Sequence, residues 1–315
     1  MKGNNGLWLM GALVAPAIAV GCTLPWVYVA IATLVGAGFW YLTPAISLPT
    51  DFLRVWGKGA GAWILVLQAG FFALLLGQFA LGTVSAFPDD PVHPFLPLSM
   101  LAVAWFSVSR GEGACRRGCR VAGAVTAVIL MAVCFFAFGR ADFSRGWTKL
   151  PAPSVGEYAL VLLLPLCGRQ LLGGGRLGVW GLFSLLPITA SFLCQCIAGS
   201  GGSFYAMAKS VEVLSFAQRI EPLVSAFMTV GWFCTLCLLA LVAVKNLRMV
   251  GVPRSWAEKG IFLSAMGIVL LSKSISAEIL FPIGTVFCVF LPLLTQGIGV
   301  RKKVKNFLKF QQKKC

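Results

Sequence analysis

Charge is what this chain has least of. Charged residues make up 11% of its 315 residues, against roughly 25% in soluble domains. That is too little polar surface to cover a globule in water. Acids are scarcer still, with 10 Asp and Glu beside 26 Lys and Arg. The single histidine is His93, which excludes a histidine-based metal cluster within the chain and any histidine-dependent triad centred elsewhere. No G-x-S-x-G, P-loop or H-E-x-x-H occurs, and no apolar run holds paired carboxylates, so the chain reads as something other than an enzyme. Aromatic–basic interleaving and zinc-finger spacing are absent as well, which argues against nucleic acid as a partner.

Cysteine is not scarce: there are 11. Cys134, Cys167, Cys194, Cys196, Cys234, Cys237 and Cys288 lie inside apolar runs. Cys234-x-x-Cys237 has the spacing of a redox or metal pair, but within a spanning helix it reads as two small buried hydrophobes. Cys115 and Cys119 are expected in a basic cytosolic loop, where thiols stay reduced. Neither a metal nor a cofactor is expected.

Apolar residues are abundant, at 58% with a mean hydropathy of +0.88. A spanning helix needs about 20 mostly apolar residues. Segments of that kind fall near 7–21, 24–44, 61–86, 95–109, 119–139, 157–175, 177–199, 221–244, 260–280 and 283–300. The fold expected is therefore an all-α polytopic membrane protein in the lipid bilayer. A single permease domain over 1–300 would be followed by a basic tail over 301–315.

Lys and Arg set the orientation. With a cytoplasmic N-terminus, the inside connections collect Arg54, Lys58, Arg110, Arg116, Arg117, Arg120, Arg169, Arg176, Lys245, Arg248, Arg254, Lys259 and the tail, against only Asp51, Glu112 and Glu258. The outside connections hold most of the remaining acids, among them Asp142, Glu157 and Glu221. Ten crossings then place both termini inside. Pro88-Asp89-Asp90-Pro91 reads as an outer turn. The stretch Phe204 to Glu221 repeats apolar residues near helical spacing, as an amphipathic helix on the outer face or a loop packed on the bundle would. Lys273 and Glu278 are read as snorkelling from the outer end of span nine. Gln68, Gln78 and Trp232 are polar handles expected to hydrogen-bond neighbouring helices.

The anomaly is helix breakage. Span one runs from Gly11 through Pro16 to Gly21, and proline removes one helical hydrogen bond. Around span six come Pro151, Pro153, Gly156, Glu157, Pro165 and Gly168. Discontinuous helices one and six are what a LeuT-like 5+5 inverted repeat requires, with freed backbone groups holding substrate near the midplane. The two repeats would cover about 7–139 and 150–300. Candidate substrate contacts are Gly11, Ala12, Pro16, Gly156, Glu157 and Trp232.

Several stretches carry a family likeness. Residues 203–221, SFYAMAKSVEVLSFAQRIE, end in Phe216, Arg219, Ile220 and Glu221, and a span with Trp232 follows. Arg110-Gly111-Glu112 with Arg116 or Arg117, Gly156-Glu157 running to Pro165, and Gly11 to Pro16 with Trp26 beyond complete the pattern. In these the chain resembles the spore germination permeases, the B subunits of nutrient germinant receptors, within the amino acid–polyamine–organocation superfamily. The resemblance implies a multi-pass protein of the inner membrane that recognises a small nutrient, often an amino acid, and passes the signal to ion release. It implies A-type and C-type receptor subunits as partners. It also makes Phe204, Lys209, Phe216, Arg219 and Glu221 an outer-face contact segment. A stand-alone amino-acid or cation transporter and a non-transporting assembly subunit are the alternatives.

Overall fold

Each apolar run that falls among the described residues, bounded by Gly, Pro and basic turns, coincides with a helix. The computed structural model describes residues 5–42, 49–86, 95–147, 161, 177–198, 203–211, 220–271 and 275–299. Among them there is no strand. The helices are α1 (Asn5–Cys22), α2 (Trp26–Leu42), α3 (Pro49–Gly82), α4 (Phe95–Ser109), α5 (Glu112–Ala137), α6 (Leu177–Ala198), α7 (Phe204–Lys209), α8 (Glu221–Met249), α9 (Arg254–Leu270) and α10 (Ala277–Thr285). A π-helical stretch, Val286–Phe290, continues α10, and helix resumes to residue 299. The sixth apolar segment, 157–175, lies outside the described residues apart from the buried Val161.

Among the described residues, four helical stretches are long and apolar enough to cross a membrane: Thr50–Gly82, Glu112–Arg140, Pro222–Met249 and Glu278–Gly299. α5 shows why they need lipid. Val121, Val125, Val128, Met131 and Phe135 recur at helical spacing along it and are all exposed. Such a stripe is costly against water and costs nothing against acyl chains. The opposite face of α5, including Cys119, Thr126, Leu130 and Val133, is buried. α8 differs because it is buried all round from Cys234 to Val244, and it packs against α1, α3, α4, α5 and α9. α8 is the axis of the bundle.

Hydrogen bonds fix the two ends. At the basic end, Arg254 at the start of α9 donates to the carbonyls of Val108 (2.8 Å) and Ser109 (3.1 Å). This ties the α8–α9 turn to the α4–α5 turn. The Trp56 indole N–H, low in α3, donates to Thr295 Oγ1 (2.9 Å), late in the tenth span. At the other end, the Ser191 hydroxyl of α6 donates to the Leu24 carbonyl (2.8 Å), and the Trp26 indole N–H donates to the Gly146 carbonyl (3.0 Å). Gln78 Oε1 accepts from the Ile275 N–H (3.1 Å). Among the described residues, the basic turns at Arg110 and Arg254 thus share one end.

Several boundaries differ from expectation. α3 begins at Pro49 rather than near 61 because Gly57, with φ 83° and ψ 168°, folds a short first segment back on the main helix. That φ is open to glycine and strained for other residues. α5 begins at Glu112, so Cys115 and Cys119 are buried in its first turns and not in a loop. Arg116 meets Glu112 there at 3.5 Å, one turn apart. α9 ends at Leu270, so Glu278 belongs to the exposed first turn of α10. An acid suits that position, where unpaired backbone N–H groups gather. Lys273 lies outside the described residues.

Candidate functional site

The expected break in span one is corrected by the structure: α1 is helical without interruption from Asn5 to Cys22, with Pro16 inside it. A helix can carry a mid-span proline when neighbouring helices support it. Pro16 still lacks an N–H, so the carbonyl four residues earlier, at Ala12, has no helical donor. Gly11 and Ala12 lie in the helical backbone of α1, and Pro16 is buried. Gly156 and Glu157 fall outside the described residues.

Gly231 and Ala15, the sequence neighbours of Trp232 and Pro16, meet each other. A Cβ on Gly231 would lie 2.6 Å from Ala15 Cβ and 3.4 Å from Val14 Cγ1, so α1 and α8 touch here almost backbone to backbone. Small residues allow that approach in membrane bundles. The Trp232 ring reaches across to α3. It lies 2.9 Å from where a Gly82 Cβ would stand, and its centroid is 5.7 Å from that of Phe79. Trp232 is 3% exposed, yet its indole N–H has no acceptor. Gln68 and Gln78 do bond across helices as expected; Trp232 does not.

A second orphan lies farther toward the outer end. Thr126 Oγ1 on the buried face of α5 has no partner. Cys119 of α5 and Cys234 of α8 mark one level, because the Cys234 thiol sits 3.9 Å from the Cys119 carbonyl. From that level Thr126 is ~10 Å toward the outer end, at ~1.5 Å per residue. A buried polar atom left unpaired costs about 1–3 kcal/mol. A ligand with an acceptor beside Trp232, or a donor beside Thr126, would recover that energy.

Nearer the basic end, Asn246 Nδ2 donates to Gln68 Oε1 (2.9 Å), and Gln68 Nε2 donates to the Phe287 carbonyl (3.1 Å) in the π-helical stretch. Asn246 Oδ1 is buried without a partner. The thiols of Cys115, Cys119 and Cys237 all lie within 4.8 Å of one another. The spacings Cys115-x₃-Cys119 and Cys234-x₂-Cys237, each one helical turn, could have pointed to this convergence.

Of the stretch Phe204–Glu221, expected as an amphipathic helix or a loop packed on the bundle, residues 212–219 lie outside the described residues. α7 has six residues, with Ser203 Oγ accepting from the Ala206 N–H and the Ser210 hydroxyl donating to the Met207 carbonyl at its far end. Phe204, Met207, Ala208 and Val211 are buried, so the apolar spacing did identify the packed face. α7 rests on α1, α5, α6 and α8. Lys209 is exposed. Phe216 and Arg219 lie outside the described residues, and Glu221 opens α8.

No family model matches the chain, and no curated protein does. Among solved structures, the chain is similar to MHP1, a nucleobase-cation-symport-1 family transporter in a closed conformation with bromovinylhydantoin bound. The TM-score is 0.58 at 14% identity, over 90% of this chain and 76% of that one. The all-helical bundle is thus a multi-pass membrane protein with the fold of a membrane transporter.

Proposed function

We propose that the chain is a permease-like subunit of a spore nutrient germinant receptor, which binds a small nutrient, such as an amino acid, and couples it to ion release. The observation that carries ligand binding is the unpaired indole N–H of Trp232, held beside the tight Ala15–Gly231 contact. Ala12, one turn before Pro16, offers a carbonyl without a helical donor. A small zwitterion needs one donor and one acceptor, and these two groups supply them. The ligand's differential affinity for two arrangements of the bundle would shift their populations.

The germinant reading is favoured over a stand-alone transporter by the sequence likeness at Phe216, Arg219, Ile220 and Glu221 and at Arg110-Gly111-Glu112. The transporter-like fold suits both readings. Under this proposal ten crossings form a 5+5 inverted repeat, with Gly156 and Glu157 opening the sixth. α5 and α6 both run toward the outer end, which agrees with an additional crossing between them. Both termini would be cytoplasmic, and the A-type and C-type subunits would be partners.

The test is germination of spores lacking this chain, challenged with a panel of amino acids and nucleosides. Loss of the response to one nutrient, restored by the wild type and weakened at least tenfold by Trp232→Phe, is expected. Unchanged germination combined with robust coupled uptake by the purified chain in liposomes would select the transporter instead.

A further inference from the structure

We propose that Cys115, Cys119 and Cys237 form a three-thiolate site for a soft monovalent cation of the Cu(I) class, at the basic end of the bundle. This inference is independent of the nutrient site.

Two helices build it. Cys115 and Cys119 are one turn apart on the buried face of α5, and Cys237 faces them from α8, the axis of the bundle. All three are at most 5% exposed, and their sulfur atoms lie within 4.8 Å of one another. Metal–sulfur bonds of about 2.3 Å, the length found for zinc thiolates, put the sulfurs of a trigonal site ~4 Å apart. Closing the present triangle therefore needs less than about an ångström of side-chain rotation.

The donor set selects the ion. Soft sulfur ligands favour Cu(I) and zinc over magnesium, calcium or manganese. Structural zinc sites are almost always four-coordinate. Cys234 Sγ, one turn before Cys237 on α8, is engaged with the Cys119 carbonyl at 3.9 Å. Three convergent thiols match the trigonal geometry open to Cu(I).

Charge and access agree. Each metal–sulfur bond made by a thiolate releases one proton, and the negative charge left on the site needs cationic neighbours. Arg116, Arg117 and Arg120 follow Cys115 on α5, and Lys245 and Arg248 lie toward the same end of α8. The Arg120 Nε is buried with no hydrogen-bond acceptor. Cys115 is only three residues from the exposed end of α5, ~4.5 Å along its axis.

The experiment uses the purified full chain, reduced and anaerobic in detergent, titrated against Cu(I) held as its coloured bicinchoninate complex. Wild type should remove one equivalent of Cu(I) and gain thermal stability. Cys115→Ser/Cys119→Ser/Cys237→Ser should lose that equivalent. Cys22→Ser/Cys134→Ser/Cys194→Ser, which alters the sulfurs at the other end, should keep it. If the first triple variant fails to fold, Cys119→Ser alone serves, with an expected loss of at least tenfold in affinity. Failure of wild type to take up the ion, or its retention by the folded triple variant or undiminished by Cys119→Ser, overturns the proposal.

Discussion

Replacing Gly231 by alanine should separate α1 from α8, and the sign of its effect should depend on residue 15. The new Cβ would stand 2.6 Å from Ala15 Cβ, where carbon atoms in contact prefer about 3.5–4.0 Å. The shortfall is ~1 Å, and it cannot be absorbed by rotating a side chain because both groups are single carbons fixed to helical backbone. Overpacking of this kind costs about 1–3 kcal/mol. Against it stands the better helix propensity of alanine, about 1 kcal/mol. Once Ala15 is glycine, the nearest atoms are its backbone nitrogen at 3.3 Å and Val14 Cγ1 at 3.4 Å, and most of the clash is gone. Gly231→Ala should therefore destabilise the wild-type background and be neutral or stabilising in Ala15→Gly. Reversible unfolding of the four proteins in mixed detergent micelles gives the cycle directly. A coupling of ~1–3 kcal/mol is expected. Additivity within about 0.5 kcal/mol, the behaviour of distant sites, would refute the close approach.

Asn246→Leu should cost about 1–2 kcal/mol in the same assay, because Gln68 Oε1 loses its donor inside the bundle. Adding Gln68→Leu should recover less than that, since Gln68 also serves the Phe287 carbonyl. Arg254→Met should loosen the basic end, leaving Glu258, whose side chain is 9% exposed, without the partner it holds at 2.6 Å; faster amide hydrogen exchange over 106–112 would report it. At the other end, the hydroxyl and N–H of Ser144, with Arg145 at 3.2 Å, hold the exposed Asp142 carboxyl below its ordinary range. A lowered folded value means that its support is present above about pH 4, the unfolded range, and is lost as pH falls through that lowered value. Proteolytic sensitivity of the 138–147 segment should therefore rise on acidification in the wild type and be high at every pH in Asp142→Asn.

Periodicity and charge made the crossings legible, because a spanning helix must be long and apolar and its basic flanks must share a side. α4 lies over 95–109 as expected, and the basic turns at Arg110 and Arg254 meet. The apolar positions of α7 were legible for the same reason. What was not legible depends on contacts between distant residues. The fold-back at Gly57 places Phe52 O 2.7 Å from where a Gly61 Cβ would be, and nothing local announces it. The polar stretch 112–118 hid the start of α5, where Cys115 is buried facing Cys237 of α8 while Gly113, Ala114, Arg117 and Gly118 stay exposed. Pro16 was read as a break, whereas α1 stays helical under cover from α5, α6 and α8. Within the site, Trp232 was legible as a polar group in an apolar run, but Gly231, Thr126 and the meeting of the three thiols required the fold.

The π-helical stretch at Val286–Phe290 acts on its helix as one extra residue would. One residue too many is taken up in a wider turn, so the helix beyond Phe290 is rotated by about 100° from the face a regular helix would present. Before the insertion, Leu280 turns inward; after it, Thr295 arrives at the Trp56 indole. Gln68 supports the widened turn by donating to the Phe287 carbonyl. Removing one residue here would restore a regular helix and aim Thr295 away from Trp56. The length of this segment, more than the identity of any side chain in it, decides which neighbours its last two turns meet.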